Sequence, residues 1–444
     1  MKRSYFGTDG VRGLYGSATM NEVFAWRLGV AAARWLAGRG VAHGKVLIGR
    51  DTRTSGVSLT QSLADGLAFG GCEPATLEIV PTPAVSCAVR VRGAALGVVV
   101  TASHNPATDN GIKFFGSNGI KLTDAEEAAI EALIPERRTD ATVAPLPIVD
   151  AISDYLYAME GVLHGSLAGW KIALDTANGA TVLTSSSVLR DHGADVIQIG
   201  ADPDGLNINQ DVGSEHPEKL CSTVRLHSAR LGIAHDGDGD RYVVCDERGE
   251  VLDGDELLTI LALHALKLGQ LKNKTLVITV QSNLGVDAAV SAAGGRVLRT
   301  PVGDRYVIER MLAEGAQLGG ESSGHIICSD VSPTGDGLVA ALKVIAVMLA
   351  TGQPLSELRK GLGKFPQRTA SLKVRTKKPF ETLSNLPVAI RQLETELGPR
   401  GRVLVRYSGT ESKLRLLVEG PTDADAKAGI DRLHAAAQAD LEVL

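Results

Sequence analysis

The chain has 444 residues, 44% of them hydrophobic, and a formal net charge of −5 at pH 7. This mildly acidic balance argues against a general binder of nucleic acids or membrane surfaces, and no apolar run reaches the ~18 residues of a transmembrane helix. The first residues lack the apolar core of a signal peptide, and the five cysteines are scattered without zinc-ligand spacing. We therefore expect a cytoplasmic enzyme with reduced, buried thiols.

Strands and helices alternate through most of the chain, which predicts α/β units with mixed or mainly parallel sheets. Predicted strands are 45–49, 75–80, 96–100, 171–174, 196–199, 231–234, 242–245, 275–280 and 296–300. Predicted helices are 22–37, 59–69, 124–133, 148–163, 181–191, 217–230, 256–268, 286–293, 304–312 and 335–349, with Asn21, Thr123 and Asp255 as caps. The recurrence suggests three similar α/β domains, at 1–147, 148–253 and 254–366.

The last part of the chain is different. After a hinge-like passage at 352–367, the pattern predicts a smaller α+β domain at 367–444. Its predicted strands are 371–375, 402–406 and 414–419, and its predicted helices are 381–397 and 422–441.

The buried strand at 96–100 leads into a polar stretch that contains Ser103 and His104, and Lys113 returns toward the same loop. Ligands bind at the carboxyl ends of strands in open α/β sheets. The stretch is about equally compatible with a nucleophile or phosphoryl carrier at Ser103 and with a polar loop that only ends a strand.

Three aspartates, Asp236, Asp238 and Asp240, alternate with glycine after another predicted strand. Dense oxygen ligands select a hard divalent cation, Mg²⁺ first and Ca²⁺ second. An acidic turn is the plainer interpretation, and an EF-hand is disfavoured because no bidentate Glu stands at the twelfth loop position. Because three convergent carboxylates repel one another without a cation, we favour the metal site.

Two further loops carry mixed polar groups. The segment 319–325 offers Glu321, two hydroxyls and His325, which suits a sugar, although a Gly-rich connection with a structural histidine is also compatible. The segment 406–412 offers a guanidinium, hydroxyls and turn N–H groups, which suits a phosphate or equally a solvated hairpin.

Two shorter segments are more ambiguous. In 7–13, three glycines frame Asp9 and Arg12, so that Arg12 can reach a ligand, although a surface hairpin explains them as well. In 303–305, Asp304 and Arg305 are compatible with a plain N-cap followed by a surface arginine.

Four segments, 101–106, 236–241, 320–325 and 406–411, resemble in order and spacing the four signature loops of the α-D-phosphohexomutase family. The segments 6–13 and 109–115 are most similar to the branch formed by the bacterial phosphoglucosamine mutases. The resemblance covers essentially the whole chain. One segment, 209–217, departs from the form associated with that branch.

The resemblance implies four domains around a deep central cleft, with a phosphoserine at Ser103 and Mg²⁺ held by its phosphate and by Asp236, Asp238 and Asp240. It implies interconversion of glucosamine 6-phosphate and glucosamine 1-phosphate through a 1,6-bisphosphate, with glucosamine or glucose 1,6-bisphosphate as activator, in the supply of amino-sugar nucleotides for cell-wall precursors. It places Arg12, His104, Lys113 and Arg241 near the transferring group, Glu321, Ser323 and His325 at the sugar, and Arg406, Ser408, Gly409, Thr410 and Arg415 at the non-reacting phosphate. His104 and Lys113 are its candidates for acid/base help.

Three other functions compete with this one: a phosphoglucomutase or phosphomannomutase of the same family, a metal-dependent sugar phosphatase, and a non-catalytic sugar-phosphate sensor. The complete set of Ser103, three aspartates and Lys113 argues against the sensor, because a pure binder needs no phosphorylatable serine. Hexosamine phosphates are the expected partners, with no nucleic acid and no membrane, and a homodimer is left open. Spacing alone assigns no acidic residue to the sugar amine.

Overall fold

A computed structural model of the chain describes residues 4–7, 9–140, 142–408 and 412–444. Four β-sheets follow one another along these residues, with five, five, four and three strands.

The first sheet has the order β1-β5-β4-β2-β3. Its strands are β1 (Val11–Leu14), β2 (Lys45–Arg50), β3 (Glu73–Ile79), β4 (Leu96–Val100) and β5 (Asp109–Gly116). The associated helices are α1 (Glu22–Gly38), α2 (Ser55–Phe69), α3 (Thr82–Val91) and α4 (Asp124–Glu131). Strands β2, β3 and β4 are parallel, whereas β5 is antiparallel to both β4 and β1.

The second sheet has the order β10-β9-β8-β6-β7. Its strands are β6 (Lys171–Asp175), β7 (Asp195–Ile199), β8 (Leu231–His235), β9 (Tyr242–Cys245) and β10 (Val251–Leu252), and its helices are α5 (Ile152–Met159), α6 (Ser185–Asp191) and α7 (Glu218–His227). The third sheet has the order β12-β11-β13-β14. Its strands are β11 (Thr275–Thr279), β12 (Arg296–Thr300), β13 (Leu318–Gly320) and β14 (Ile326–Cys328), and its helices are α8 (Gly254–Lys267), α9 (Leu284–Ala292), α10 (Asp304–Glu314), α11 (Gly337–Thr351) and α12 (Leu355–Leu358).

The three sheets share one plan. In each, a central parallel strand (β2, β6 or β11) lies between two parallel neighbours, and the later neighbour pairs with an antiparallel strand (β5, β9 or β14). This confirms the expectation of three similar mixed-sheet α/β domains. A hairpin turn therefore occupies the same place in all three, after β4, β8 and β13.

The fourth sheet is antiparallel throughout, with the order β15-β17-β16. Its strands are β15 (Gln367–Lys373), β16 (Arg402–Tyr407) and β17 (Lys413–Glu419), and its helices are α13 (Leu386–Leu397) and α14 (Asp423–Asp440). This confirms the predicted smaller α+β domain.

The first three domains share a buried apolar core, and the fourth domain does not take part in it. One continuous cluster joins the first three sheets, with Val85 on α3, Tyr155 on α5 and Leu258 on α8 among its members, whereas the fourth domain has a separate cluster. All five cysteines are free and buried, as predicted. Among the described residues no single helix has the length and apolarity to cross a membrane. Two consecutive helices, Gly337–Thr351 and Leu355–Gly361, reach that length and composition only when taken together, and they are bent by 90° relative to each other.

The helix predicted at 148–163 is shorter than expected, because its first residues extend the first sheet. The backbone N–H of Thr76 donates to the carbonyl of Pro147, and the N–H of Val149 donates to the carbonyl of Thr76, both at 2.8 Å. Only Ile152–Met159 is helical. A hydrogen-bonding edge strand thus outcompetes local helix propensity here.

The prediction that Asp255 caps α8 is wrong. Asp253 is the N-cap: its side chain accepts from the N–H of Glu256 at 3.1 Å, and the side chain of Glu256 accepts from the N–H of Asp253. The carboxylate of Asp255 instead accepts from the N–H of Asn283 at 2.8 Å, so tertiary contact decides its role. The capping box of Thr123 and Glu126 is confirmed.

The segment 303–305 had allowed Arg305 to be a surface arginine, and the structure shows that it is not. It is 3% exposed, its two terminal nitrogens donate to Glu127 at 2.7 and 2.9 Å, and it also contacts Asp124. Since α10 belongs to the third domain and Glu127 lies on α4, this bidentate pair joins two domains.

We expect Arg305→Ala to destabilise the protein by about 3–5 kcal/mol, because it removes the guanidinium from a buried carboxylate. The shift of the urea unfolding midpoint measures this cost. Arg310→Ala is the matched control: Arg310 lies on the same helix, is 46% exposed and pairs with Glu314 at 3.0 Å, so its removal should cost less than about 1 kcal/mol. Equal midpoints for the two variants would contradict the bridging role.

Candidate active site

The three equivalent hairpin turns carry most of the predicted site residues. Ser103 follows β4, the three aspartates follow β8, and Glu321 follows β13. The turns meet across domain boundaries, because Ser103 contacts Asp236 and the ring of His325 lies 3.7 Å from Asp240. Arg406, Ser408 and Arg415 of the fourth domain complete a cleft of about 200 Å³. It is lined by Asp9, Lys121, Asp240, Arg241, Val302, Gly303, Asp304, Glu321, His325, Arg406, Ser408 and Arg415.

Ser103 lies at the boundary between the first and second domains. It is 1% exposed, and its Oγ donates to Asp236 Oδ2 at 2.5 Å. Its φ of 54° is in the left-handed region, which non-glycine residues adopt at a cost of about 1–2 kcal/mol. Strained residues cluster at functional sites where surrounding contacts hold them, and this one is held.

The backbone around Ser103 is clamped by two side chains. Arg53, fully buried and paired with Asp51, donates to the carbonyl of Ser103 at 3.2 Å and also to that of Asn105. Asn209 donates to the same two carbonyls at 2.9 and 3.0 Å. Asn209 opens the segment that departs from the family form, so this segment contacts the serine loop directly.

Asp236, Asp238 and Asp240 are all buried, with one carboxylate oxygen from each lying within 4.8 Å of the others. Burial and the charges of Asp238 and Asp240 raise the pKa of Asp236 well above its usual range. One oxygen of Asp238 and one of Asp240 are buried and accept no hydrogen bond from any described residue. Convergent oxygens without donors fit a hard divalent cation, so the residues present suit Mg²⁺.

Lys113 lies against this triad and is 1% exposed. Its Nζ lies 2.9 Å from Asp238 Oδ2, 3.4 Å from Asp240 Oδ2 and 3.2 Å from Asp9 Oδ2. Burial alone would lower the pKa of Lys113, but the carboxylates of Asp238, Asp9 and Asp240 raise it well above its usual range. Lys113 is therefore a protonated cation beside the aspartate triad, suited to stabilising negative charge.

A cluster of ion pairs continues from Lys113 into the cleft. Asp9 also contacts Lys121, whose Nζ lies 2.5 Å from Asp304 Oδ2. The Nε2 atom of His325 lies 3.6 Å from the same oxygen of Asp304. Since Asp9 and Lys121 belong to the first domain and Asp304 and His325 to the third, these charges hold the two domains together at the cleft.

His104 and Arg241 form the other side of the serine site. The Nδ1 atom of His104 lies 3.4 Å from Ser103 Oγ and 3.3 Å from a terminal nitrogen of Arg241. Burial, together with the charges of Arg241 and Arg12, lowers the pKa of His104 to about 4. Its imidazole is therefore neutral near pH 7. Arg12 pairs with Asp9.

The predicted sugar loop places a carboxylate in the lining of the cleft and a hydroxyl against that carboxylate. Glu321 Oε1 accepts from the N–H of Gly303 at 2.9 Å, and Glu321 Oε2 lies 3.2 Å from the hydroxyl of Ser323. Ser323 is exposed, whereas His325 is buried behind it against Asp240. Glu321 and Ser323 can thus offer acceptors and a donor to sugar hydroxyls.

The predicted phosphate loop brings two arginines together. Arg406 on β16 is in register with Arg415 on β17, and both line the cleft with Ser408. Burial and the neighbouring charge of Arg415 lower the pKa of Arg406. Two adjacent guanidinium groups favour a dianionic ligand. The predicted Gly409 and Thr410 lie outside the described residues.

Sequence reasoning missed several side chains that build this site. Asp9 was noticed only as part of a glycine-framed segment, Asp304 only as a helix start, and Arg53 and Asn209 carried no assigned role. Lys121 gave no signal at all, because nothing local distinguishes it from a surface lysine. What these five residues share is a partner in another element, which no spacing reveals.

Four profiles described as phosphoglucomutase/phosphomannomutase domains match the chain: domain I over residues 3–141, domain II over 154–249, domain III over 253–365 and the C-terminal domain over 353–436. The chain belongs to the phosphoglucomutase/phosphomannomutase family. Its four successive domains carry, in order, Ser103, the three aspartates, Glu321 and Arg406.

Individual relatives agree with this membership. Phosphoglucosamine mutase of Halorhodospira halophila is 46% identical over 426 residues, covering 94% of this chain and 93% of its own. That of Alkalilimnicola ehrlichii is 45% identical over 442 residues, covering 98% and 97%. Among solved structures, a family protein from Burkholderia thailandensis gives a TM-score of 0.81 at 24% identity, with 98% of each chain covered. Aspergillus fumigatus N-acetylphosphoglucosamine mutase, solved with GlcNAc-6P and magnesium, gives 0.63 at 16% identity, covering 99% and 96%.

We expect Arg406→Ala to lower kcat/KM about 10- to 100-fold, mainly through KM, since a charge-assisted hydrogen bond contributes about 1.5–3 kcal/mol. Steady-state kinetics with a hexose phosphate measures this. Arg368→Ala is the control: in the same sheet, on β15, Arg368 is 49% exposed, pairs with Asp423 at 2.6 Å and does not line the cleft, so KM should change little. An unchanged KM in Arg406→Ala would remove this residue from the phosphate site.

Proposed function

We propose that this protein interconverts glucosamine 6-phosphate and glucosamine 1-phosphate. The observation that carries the proposal is the hydroxyl of Ser103, 2.5 Å from Asp236 in a buried aspartate triad. The third member of that triad, Asp240, lines the same cleft as Arg406 and Arg415. Family membership and the extent of identity to the phosphoglucosamine mutases support it.

The proposed cycle begins with a phosphoryl group on Ser103 Oγ. The bond between that group and Oγ breaks as the sugar hydroxyl oxygen bonds to phosphorus. The hydroxyl proton passes to Ser103 Oγ, with the neutral imidazole of His104 as its candidate carrier, which gives free serine and the 1,6-bisphosphate. After the bisphosphate turns in the cleft, the other phosphate returns to Oγ. Glucosamine or glucose 1,6-bisphosphate can therefore rephosphorylate an enzyme that has lost its phosphoryl group.

The chain's own residues supply positioning and charge, which is most of what phosphoryl transfer requires. Asp236, Asp238, Asp240 and the phosphorylated Ser103 would hold Mg²⁺, which when bound neutralises charge on the transferring group. Lys113 keeps its proton and stabilises the same charge. His104, Arg12 and Arg241 surround the serine.

The substrate's other end is bound by the third and fourth domains. We assign Glu321, Ser323 and His325 to the sugar side of the cleft, with Glu321 and Ser323 toward its hydroxyls. We assign Arg406, Ser408, Gly409, Thr410 and Arg415 to the non-reacting phosphate. Because the fourth domain has its own apolar core, it can close on the substrate and exclude water, the competing acceptor. We further place the enzyme in the cytoplasm, supplying amino-sugar precursors.

A coupled assay tests the proposal. The enzyme with Mg²⁺ is given glucosamine 6-phosphate, with and without glucose 1,6-bisphosphate, and glucosamine 1-phosphate and free phosphate are both measured. Isomer formation without steady phosphate release is the expected result. Turnover of glucose or mannose phosphates alone would move the chain to another branch of its family, and phosphate release without isomer would make it a phosphatase.

A further inference from the structure

We propose that Asp304 binds the ammonium group at C2 of the hexosamine phosphate and thereby selects the amino sugar over its hydroxyl counterpart. The inference rests on the proposed function and assigns the part of the substrate that sequence spacing left without a partner.

Asp304 is placed at the sugar part of the cleft. Its side chain is 12% exposed and lines the same cavity as Glu321, Arg406 and Arg415. The preceding residue, Gly303, has φ 134° and donates its N–H to Glu321 Oε1 at 2.9 Å. The turn that carries Asp304 is thereby attached to the carboxylate of the sugar loop, so the two acidic side chains lie on one wall.

The other carboxylates of the cleft are already engaged. Asp240 belongs to the aspartate triad and contacts Lys113, and Asp9 lies against Lys113, Lys121 and Arg12. Glu321 accepts the N–H of Gly303 with one oxygen, while its other oxygen lies at hydrogen-bond distance from Ser323.

Asp304 differs from these in having unused capacity. Its Oδ2 atom lies 2.5 Å from the ammonium of Lys121, which also contacts Asp9, and 3.6 Å from Nε2 of His325. Its Oδ1 atom accepts no hydrogen bond from any residue that the structure describes. Lys121 and His325 hold the pKa of Asp304 below its usual range against the effect of burial, so an ionised acceptor faces the cleft.

Asp304 is also held rigidly enough to discriminate. The next residue, Arg305, is fixed by its bidentate contact with Glu127, and Lys121 fixes the carboxylate from the opposite domain. A neutral hydroxyl at C2 can donate only an ordinary hydrogen bond to this oxygen, whereas an ammonium adds charge assistance. The geometry therefore favours the amine without excluding the hydroxyl.

The test compares kcat/KM for glucosamine 6-phosphate and glucose 6-phosphate in the full-length wild type and in Asp304→Asn. We expect the preference for the amino sugar to fall about tenfold or more, because kcat/KM falls much further for glucosamine 6-phosphate than for glucose 6-phosphate. Equal losses for both substrates would reduce Asp304 to a positioning residue and overturn the proposal, as would an unchanged preference. Asp124→Asn is the matched control: Asp124 contacts Arg305 but does not line the cleft, so the preference should be unchanged.

The wild type provides a second measurement if Asp304→Asn does not fold. KM for glucosamine 6-phosphate, relative to glucose 6-phosphate, is followed as pH rises through the titration of the substrate's amine. We expect the ratio of the two KM values to rise as the ammonium loses its proton, and a flat ratio overturns the proposal. Absence of any wild-type turnover of glucosamine 6-phosphate would instead refute the proposed function, which keeps the two failures distinct.

Discussion

Ser103→Ala is expected to reduce isomerisation at least about 1000-fold, because the variant has no atom to carry the phosphoryl group between the two ends of the substrate. Of the described side chains beside the triad, Lys113 is held protonated by three carboxylates, and His104 shares its Nδ1 with Arg241. The buried hydroxyl of Thr82 is held by its bond to Asp238 Oδ2 at 2.7 Å. Intact mass should show a phosphorylated form in the wild type and none in the variant.

Ser323→Ala is the control for this experiment. Ser323 belongs to the sugar loop and contacts Glu321 at 3.2 Å, so its removal should mainly raise KM and leave phosphorylation of Ser103 intact. Isomerisation by Ser103→Ala at a rate near that of the wild type would show that another residue carries the phosphoryl group, and the proposed cycle would be wrong.

Asp236→Asn is expected to lower activity by about 100-fold or more and, in the absence of metal, to raise the melting temperature. Burial and the charges of Asp238 and Asp240 raise the pKa of Asp236 above its unfolded value near 3.8. An acid whose folded pKa is raised destabilises the fold at every pH above the unfolded pKa, and the cost grows until pH passes the folded pKa. The asparagine removes that cost at neutral pH. Its oxygen can accept from the N–H groups of Gly239 and Arg241, as Asp236 Oδ1 does, while its NH₂ group donates to Ser103 Oγ.

Thermal unfolding with and without Mg²⁺ checks this prediction. Binding to the folded state stabilises it by mass action, so Mg²⁺ should raise the melting temperature of the wild type and have a much smaller effect on Asp236→Asn. Asp202→Asn, at an exposed position, should behave as the wild type does. Two results together would contradict a metal site at the triad: a wild-type melting temperature that Mg²⁺ does not change, and a variant that, without metal, melts at a lower temperature than the wild type.

Much of the fold follows from local signals. The capping box of Thr123 and Glu126 predicts the start of α4. No polar residue interrupts 96–100, which predicts the buried strand β4. The predictions that were wrong concern residues whose hydrogen-bond partners lie far away in the sequence. Asp255 has the composition of a cap but bonds to Asn283, and residues 147–149 join the edge of the first sheet at Thr76.

The sequence by itself determined the four loops, since serine after a strand, aspartates between glycines and an arginine beside a turn are chemical patterns confined to a few residues. Only the tertiary structure decided which side chains surround them. Lys121 meets Asp9 and Asp304 across 112 and 183 residues of chain, and Asn209 reaches Ser103 across 106. Such contacts depend on how whole domains pack, because ion pairs and hydrogen bonds act over a few ångströms in space whatever the separation along the chain. The carboxylate proposed to read the sugar amine, Asp304, is therefore visible only in the folded protein.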